Sequence, residues 1–322
     1  MGGLMKYLVC GAGTIGTTYA YLLSQVHDVD MFVKYEQVEK LSKGVVIALK
    51  NLAKNEKYEK TIYYPSCVTE IDKHYDGILV AVNRYQLKDI LPLLAEKQEH
   101  THYFAFMQNN WNIQSEIEEY LTSDSYIIAF PSSVGGGRDE KGIEVILFDE
   151  PTRLGGQCQP GIDDLRKSFG QAGIKTYYDK AIFDWLKVHY LQQSITAGAV
   201  LENGNFENFA CNYAAVKKMV RAFREGITVC KLQGVNTVRT FPANLFRLPI
   251  FIVAHTMQKM FLEKNTMEMV NNHMKKGLPE WIAGYKEVLN DGRIKGLPMT
   301  VWGSYDTAVE QYIKSEKSAS QN

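Results

Sequence analysis

The chain has 322 residues, of which 45% are hydrophobic and 22% charged, proportions that exclude a disordered or fibrous chain and leave room for about two domains at roughly 150 residues each. Lys plus Arg and Asp plus Glu number 36 each, so the formal net charge is zero and no global field favours nucleic acid or an anionic membrane as a partner. The five cysteines (Cys10, Cys67, Cys158, Cys211, Cys230) are scattered and never form a C-x-x-C pair, which argues against a disulfide framework or a zinc cluster and fits a reducing cytoplasm.

The opening MGGLMKYLVCGAG carries too short an apolar run for a signal-peptide core or a membrane span, so the chain reads as a soluble cytoplasmic protein. A strand is expected over 7–10, followed by Gly11-x-Gly13-x-x-Gly16 and a helix over 15–26. Strand, glycine loop and helix in this order form the context a dinucleotide fingerprint requires. Gly11 makes the turn, Gly13 admits the pyrophosphate and Gly16 lets the helix pack on the strand, while Ala12, Thr14 and Ile15 bring backbone amides to the phosphates. Downstream, strands are expected over 29–33, 61–64, 77–82, 103–107 and 126–130, with helices over 85–98 and 113–121. Continuously apolar runs such as GILVAV fit parallel strands covered on both faces, so the first part reads as a doubly wound, Rossmann-type α/β sheet. Lys34, at the end of the second strand, favours the 2′-phosphate of NADP, although Glu36 two residues on would suit the ribose of NAD.

His100 and His102 lack other ligands at metal spacing, so no metal site is expected. The segment PSSVGGGRDEKG (131–142) reads as a glycine-rich hairpin loop, or else as an anion cradle that includes Arg138. Two more strands are expected within 143–156, then a helix over 161–172 and a strand over 175–178. From about residue 180 the texture turns helical, with helices expected over 181–201, 208–232, 248–264, 266–276, 280–290 and 301–314, divided by breakers such as Gly277 with Pro279. The expected domains are therefore 1–180, binding NADP, and 181–314, all helical and serving substrate binding or dimerisation, with a flexible tail over 315–322. A cleft between domains is the default place for a ligand.

The order of these features resembles the ketopantoate reductase (2-dehydropantoate 2-reductase) family, and the resemblance covers most of the chain. GAGTIG is similar to the family's opening. ILVAVNRYQLKDIL (78–91) resembles its fourth strand and "V-K-x-x-Q" segment, with Asn83 in the lysine position. FAFMQNNWN resembles its "Q-N-G" segment, matching at Gln108 and Asn109, with Asn110 replacing the glycine. The resemblance implies NADPH as cofactor, places Asn83, Gln108 and Asn109 along it, and puts Asn109 beside both nicotinamide and substrate. DWLKVHYLQQSITA is similar to "W-x-K-L-x-x-N-x-x-x-N", matching at Trp185 and Lys187, whereas Leu191 and Ile195 stand where the family has asparagines. GLPEWIAGYKEVLNDGRIKGLP resembles "G-R-x-T-E-I-D" through "G-I-x-x-P" and places Glu280 on the family's glutamate, with Asn271, Asn272 and His273 in a region where the family often has serines.

The resemblance thus implies reduction of the C2 carbonyl of a small 2-oxo acid, with Lys187 as proton donor and Glu280 accepting from a substrate hydroxyl or orienting Lys187. Read from the residues alone, Lys187 in an apolar and aromatic neighbourhood is equally an exposed helix lysine with a snorkelling stem, and Glu280 a first-turn acid facing a helix dipole. With Leu191, Ile195, Asn109 and Asn272 expected to face the substrate, a branched or aromatic apolar 2-oxo acid rivals ketopantoate, as for a D-2-hydroxyacid dehydrogenase. A catalytically silent dinucleotide-binding redox sensor is the alternative of a different class, and a homodimer is expected from family habit.

Overall fold

In the computed structural model, which describes residues 3–54 and 57–319 apart from the side chains at 272, 273, 275, 276 and 319, the chain divides into two compact units between Ile182 and Phe183. The first is built from β1 (Lys6–Cys10), α1 (Thr14–Ser24), β2 (Asp28–Phe32), α2 (Tyr35–Ser42), β3 (Val45–Asn51), β4 (Tyr58–Tyr63), β5 (Ser66–Val68), β6 (Gly77–Val80), α3 (Leu87–Glu96), β7 (Phe104–Phe106), α4 (Ile113–Glu118), β8 (Tyr126–Phe130), β9 (Val134–Asp139), β10 (Gly142–Leu147), β11 (Thr152–Gly156), α5 (Gln159–Gln171) and β12 (Thr176–Tyr178). Eight strands make one sheet in the order β12-β11-β8-β7-β6-β1-β2-β5, parallel throughout except between β8 and β11. Every residue of β6 and β7 is buried, and so are four of the five in β1 and in β8, because the sheet's central strands are covered on both faces.

A second sheet, β4-β3-β10-β9, was not foreseen as a separate layer. The strand expected over 61–64 in the main sheet is replaced by β4 (Tyr58–Tyr63), which pairs with β3, and the glycine-rich 131–142 segment supplies β9 and its hairpin turn into β10. The physical reason is alternation: Val45 and Ile47 are buried while Val46 between them is exposed, the pattern of a sheet with one covered face. That face lies on α1, which packs against β1 and β2 on one side and β9 and β10 on the other. Sandwiched in this way, α1 buries Thr17, Thr18, Tyr19, Ala20 and Leu23.

Burial of the Tyr19 hydroxyl requires partners, and it finds them in Thr152 at 2.6 Å and Ser133 at 3.3 Å, which are themselves 3.0 Å apart. Burial pushes the Tyr19 hydroxyl up to about 12. Likewise the Tyr7 hydroxyl of β1 lies 2.7 Å from that of Ser168 and donates to Asp164 (3.1 Å) of α5, and Tyr103 donates to Asp164 (3.0 Å).

The second unit consists of α6 (Ile182–Asn203), α7 (Phe206–Cys211), α8 (Tyr213–Leu232), α9 (Ile250–Phe261), α10 (Lys264–Ile294), α11 (Thr300–Gly303) and α12 (Asp306–Ala319). Two expectations are corrected here. Gly277 and Pro279 do not divide α10, because a proline inside a helix removes one N–H donor without forcing a break where packing holds the rest. Residues 315–319 are not a frayed tail but the last turn of α12. Inside the unit, Trp302 is fully buried, stacks on Tyr285 and donates from Nε1 to the Tyr285 carbonyl (3.1 Å), while Glu225 accepts from the Val301 and Trp302 amides (3.0 and 2.7 Å). All five cysteines are free thiols, and among the described residues no helix is long and apolar enough to cross a membrane.

Tyr19→Phe removes one hydroxyl from a buried group of three and leaves two others short of a partner. The expected loss is about 1–2 kcal/mol, read as a lower urea midpoint at unchanged slope.

Candidate functional site

Strand register fixes where the expected site residues of the first unit go. Cys10 lies opposite both Phe32 and Val80, and Val80 lies opposite Phe106, so these four residues form one row across parallel strands. Each is followed by a segment singled out in the sequence. Residues 11–16, 33–36, 81–86 and 107–112 therefore open along a single edge of the sheet, the carboxyl edge at which α/β proteins hold ligands.

The glycine loop occupies the centre of that edge. Gly11 adopts a φ of 110°, and a Cβ there would lie 2.7 Å from the carbonyl oxygen of Ala81 at the end of β6. A Cβ at Gly16 would overlap the carbonyl oxygen of Gly11. At Gly13, by contrast, an added Cβ would meet nothing within 4 Å, so the chain is open to solvent where a phosphate would arrive. Gly13 is the N-cap of α1. It offers no side-chain cap, and no acid stands in the first turn, so the leading amides of α1 at Thr14, Ile15 and Gly16 meet neither a capping side chain nor a first-turn carboxylate.

Flanking strands supply polar groups. Lys34 is exposed at the start of α2, where its amide donates to Gln37 Oε1 (3.3 Å), with Tyr35 and Glu36 exposed beside it. Asn83 is exposed as well, its amide donating to Gln86 Oε1 (3.2 Å). Gln108 is buried and donates to the Val82 carbonyl (2.9 Å), which ties the β7 end to the β6 end and leaves its own Oε1 without a partner. Asn109 has both side-chain amide atoms shielded from solvent and neither paired, and Asn110 donates to Glu116 (2.7 Å) with its Oδ1 unpaired. Buried polar atoms cost free energy unless bonded, so this run of amides is built to meet a partner from outside the chain. An uncapped helix start, an open position at Gly13 and an orphaned amide two strands away, beyond β6, are chemically suited to holding a dinucleotide.

One residue in this region was read both ways in the sequence. Arg138, near the end of β9, donates from Nη1 to the carbonyl of Ala12 inside the glycine loop. Its signal was a cation directly after three glycines, and the hairpin explanation concealed it. A separate groove of about 200 Å³ lies toward the other end of β9, lined among others by Tyr19, Asn51, Lys54, Ser133 and Lys175, and holds none of the expected site residues.

In the helical unit, Lys187 is half-buried on α6, flanked in sequence by the buried Leu186 and Val188. Burial pushes the Cys230 thiol of α8 up to about 12, an effect opposed by the nearby Lys187 charge and reinforced by Asp291 and Asp184. Those four groups therefore share one neighbourhood. Helix register agrees: Gly284 of α10 lies against Ser194 and the Tyr190 hydroxyl, and that hydroxyl donates to Glu287 (2.5 Å), which makes α6 and α10 antiparallel. Lys187 precedes Ser194 by seven residues and Glu280 precedes Gly284 by four, so they extend in opposite directions, about 16 Å apart along the axes at 1.5 Å per residue. The expectation that Glu280 orients Lys187 is thus corrected, and Asp291 is the α10 carboxylate at the lysine's end.

Leu191 and Ile195 are fully buried, and the δ carbons of Leu191 lie where a Cβ on Gly226 of α8 would go. Leu191 packs between helices, which corrects the expectation that it presents methyl groups to a substrate. His189 stacks on Trp185 with ring centroids 4.7 Å apart. Asn271 is exposed on α10, and the expected substrate contact at Asn272 lies outside the described side chains.

Residues 7–156 match the family model of ketopantoate reductase PanE/ApbA. The match lies within the α/β unit, which is thus similar to a ketopantoate reductase PanE/ApbA domain. This is a family of oxidoreductases, and the PanE/ApbA fold extends through the helical unit. The chain is similar to a D-mandelate dehydrogenase solved with NADH and anilino(oxo)acetate, at 14% identity over 97% of this chain and 99% of that one, with a TM-score of 0.74. It is also similar to 2-dehydropantoate 2-reductase from Geobacter metallireducens GS-15 (17% identity, 96% and 100% covered, TM-score 0.69) and to a dimeric ketopantoate reductase from Staphylococcus aureus (14%, 97% and 100%, 0.63). At these identities the likeness shows the fold alone. No curated protein sequence matches the chain.

The second and third glycines of this loop, Gly13 and Gly16, make opposite demands on a methyl group. Gly16→Ala is expected to cost about 1–3 kcal/mol through overpacking, whereas Gly13→Val stays within about 1 kcal/mol of the parent, both by chemical denaturation. Equal losses at the two positions would contradict the geometry given for the loop.

Proposed function

We propose that this protein is an NADPH-dependent reductase of the C2 carbonyl of a 2-oxo acid, with 2-dehydropantoate as the first substrate to test. The observation that carries this reading is the shielded, unpaired amide of Asn109 on the same sheet edge as the uncapped start of α1. A bound nicotinamide dinucleotide supplies the hydride. The chain's own part is to hold the pyrophosphate on the amides of Thr14, Ile15 and Gly16, with Gly11, Ala12 and Gly13 shaping the approach. Asn109, with Gln108 behind it and Asn83 at the neighbouring strand end, orients the carboxamide end and the substrate. Lys187 polarises the substrate carbonyl and gives its oxygen a proton, and a cation held among buried helix residues suits that role.

Lys34 is the exposed cation that supports NADPH over NADH, and it competes with the exposed Glu36. A homodimer belongs to the same reading, supported by exposed apolar side chains on the helical unit such as Phe241, Leu248 and Phe251 and by the dimeric relative. A cytoplasmic setting is in keeping with the free thiols. The second reading is a D-2-hydroxyacid dehydrogenase working with NADH on an aromatic 2-oxo acid. The D-mandelate dehydrogenase likeness favours it.

The deciding measurement is nicotinamide oxidation at 340 nm with NADPH and NADH against ketopantoate and a series of branched and aromatic 2-oxo acids. A hundredfold preference in kcat/KM for ketopantoate supports the first reading, and an aromatic preference with NADH supports the second. Cofactor binding with no turnover on any of them points to a redox-sensing protein. In the active case Lys187→Ala is expected to lower kcat by about a hundredfold or more while leaving cofactor affinity near that of the parent. Lys34→Asp should move the cofactor preference toward NADH, and an unchanged NADPH to NADH affinity ratio would remove the argument for NADP.

A further inference from the structure

We infer that Arg138 is a phosphate-binding residue of the dinucleotide site, a cation delivered to the glycine loop from the second sheet rather than from the Rossmann sheet itself. The inference rests on the dinucleotide reading above and adds to it a residue outside the glycine fingerprint.

The geometry begins with the way β9 runs along α1. At one end, Ser133 just before the strand lies 3.3 Å from the hydroxyl of Tyr19, well inside the helix. At the other end, Arg138 donates to the carbonyl of Ala12, just before the helix begins. The strand therefore travels antiparallel to the helix, and five strand residues carry the chain from the helix interior to its amino terminus. Alternation along a strand puts Val134 and Arg138 on one face, and Val134 is buried in the core beneath α1, so Arg138 emerges on the helix side at the rim. Between them Gly136 has no side chain to stand in the way of the guanidinium.

The chemistry at that rim is unbalanced. A guanidinium carries five N–H donors in a planar fork. The bond to the Ala12 carbonyl is the one interaction of Arg138 within the described residues, and no carboxylate there is paired with it. A half-buried cation with spare donors thus sits on the residue adjoining Gly13, where the backbone is open to solvent and the leading amides of α1 meet no acid. All of these groups favour a diphosphate, and the planar fork is suited to two of its oxygens at once. Holding the Ala12 carbonyl at the same time fixes both the loop and the cation before the ligand arrives.

The test is direct binding to the full-length chain, by intrinsic fluorescence or calorimetry, of NADPH, ADP and adenosine to the parent, Arg138→Gln and Arg138→Lys. Arg138→Gln should weaken NADPH and ADP by about tenfold or more and leave adenosine unchanged, with Arg138→Lys in between because an ammonium keeps the charge and loses the fork. Unchanged affinity for ADP in Arg138→Gln overturns the inference, and so does an equal loss for ADP and adenosine, which would make Arg138 a staple of the loop. Should the glutamine variant not fold, the parent decides: ADP, but not adenosine, should shield Arg138 from modification by phenylglyoxal, followed by peptide mass spectrometry. No shielding overturns the assignment. A parent that binds neither NADPH nor ADP overturns the dinucleotide reading itself, an outcome distinct from a parent that binds both without help from Arg138.

Discussion

The carbonyl oxygen of Gly11 stands where any side chain on residue 16 would have to begin, and Ala81 crowds residue 11 from the other side. Because both positions lack a Cβ, α1 starts directly over the ends of β1 and β6 and the chain can turn there in so few residues. The rest of the α/β unit is arranged about this contact. The helix so placed is thin enough at its start to lie between two sheets, and the second sheet brings β9 alongside it. Tyr19 then locks the assembly at mid-helix through Thr152 and Ser133, so the anion-facing amides belong to a helix that has little freedom to slide or roll. A cradle held this way loses little conformational entropy when a ligand enters it.

Much of this was legible in the sequence, and the failures have physical causes. Strands β1, β6 and β8 could be read because parallel strands under two layers are uniformly apolar. Residues 45–51 escaped notice because they form a strand between β4 and β10, and β10 lies almost a hundred residues further on. Gly277 and Pro279 looked like a helix boundary, yet the α10 backbone runs on through them. The site divided along the same lines. The glycine loop and the Gln108–Asn109 step carried local signatures, whereas the shielding of the Asn109 amide comes from strand register. Leu191 looked substrate-facing by spacing alone, and the contact that removes it is with Gly226, a residue whose importance lies in having no side chain.

The helical unit teaches the complementary lesson about charge. Lys187 and Glu280 both matched a motif, but motif spacing runs along one chain and says nothing about the sense in which two helices face each other. Once Gly284 meets Ser194 and Tyr190 meets Glu287, the antiparallel sense is settled, and Asp291 arrives at the lysine's end. The Gln233 side chain donates to Asp291 and so draws α8 into the same neighbourhood.

That antiparallel seam also bears on how this chain can tolerate changes in length. Between Gly284 and Asp291 the α10 backbone acts as a ruler, since one end is fixed by a close glycine contact with α6 and the other carries a carboxylate that accepts from Gln233 just past α8. Adding or removing one residue there would turn Asp291 about 100° around the helix and move it about 1.5 Å along it, away from the Gln233 amide it accepts from. Beyond Asp291 the chain leaves the helix through Lys295 and the left-handed Gly296, where length is no longer metered. Insertions among relatives of this protein should therefore collect after residue 295 and be missing from 284–291.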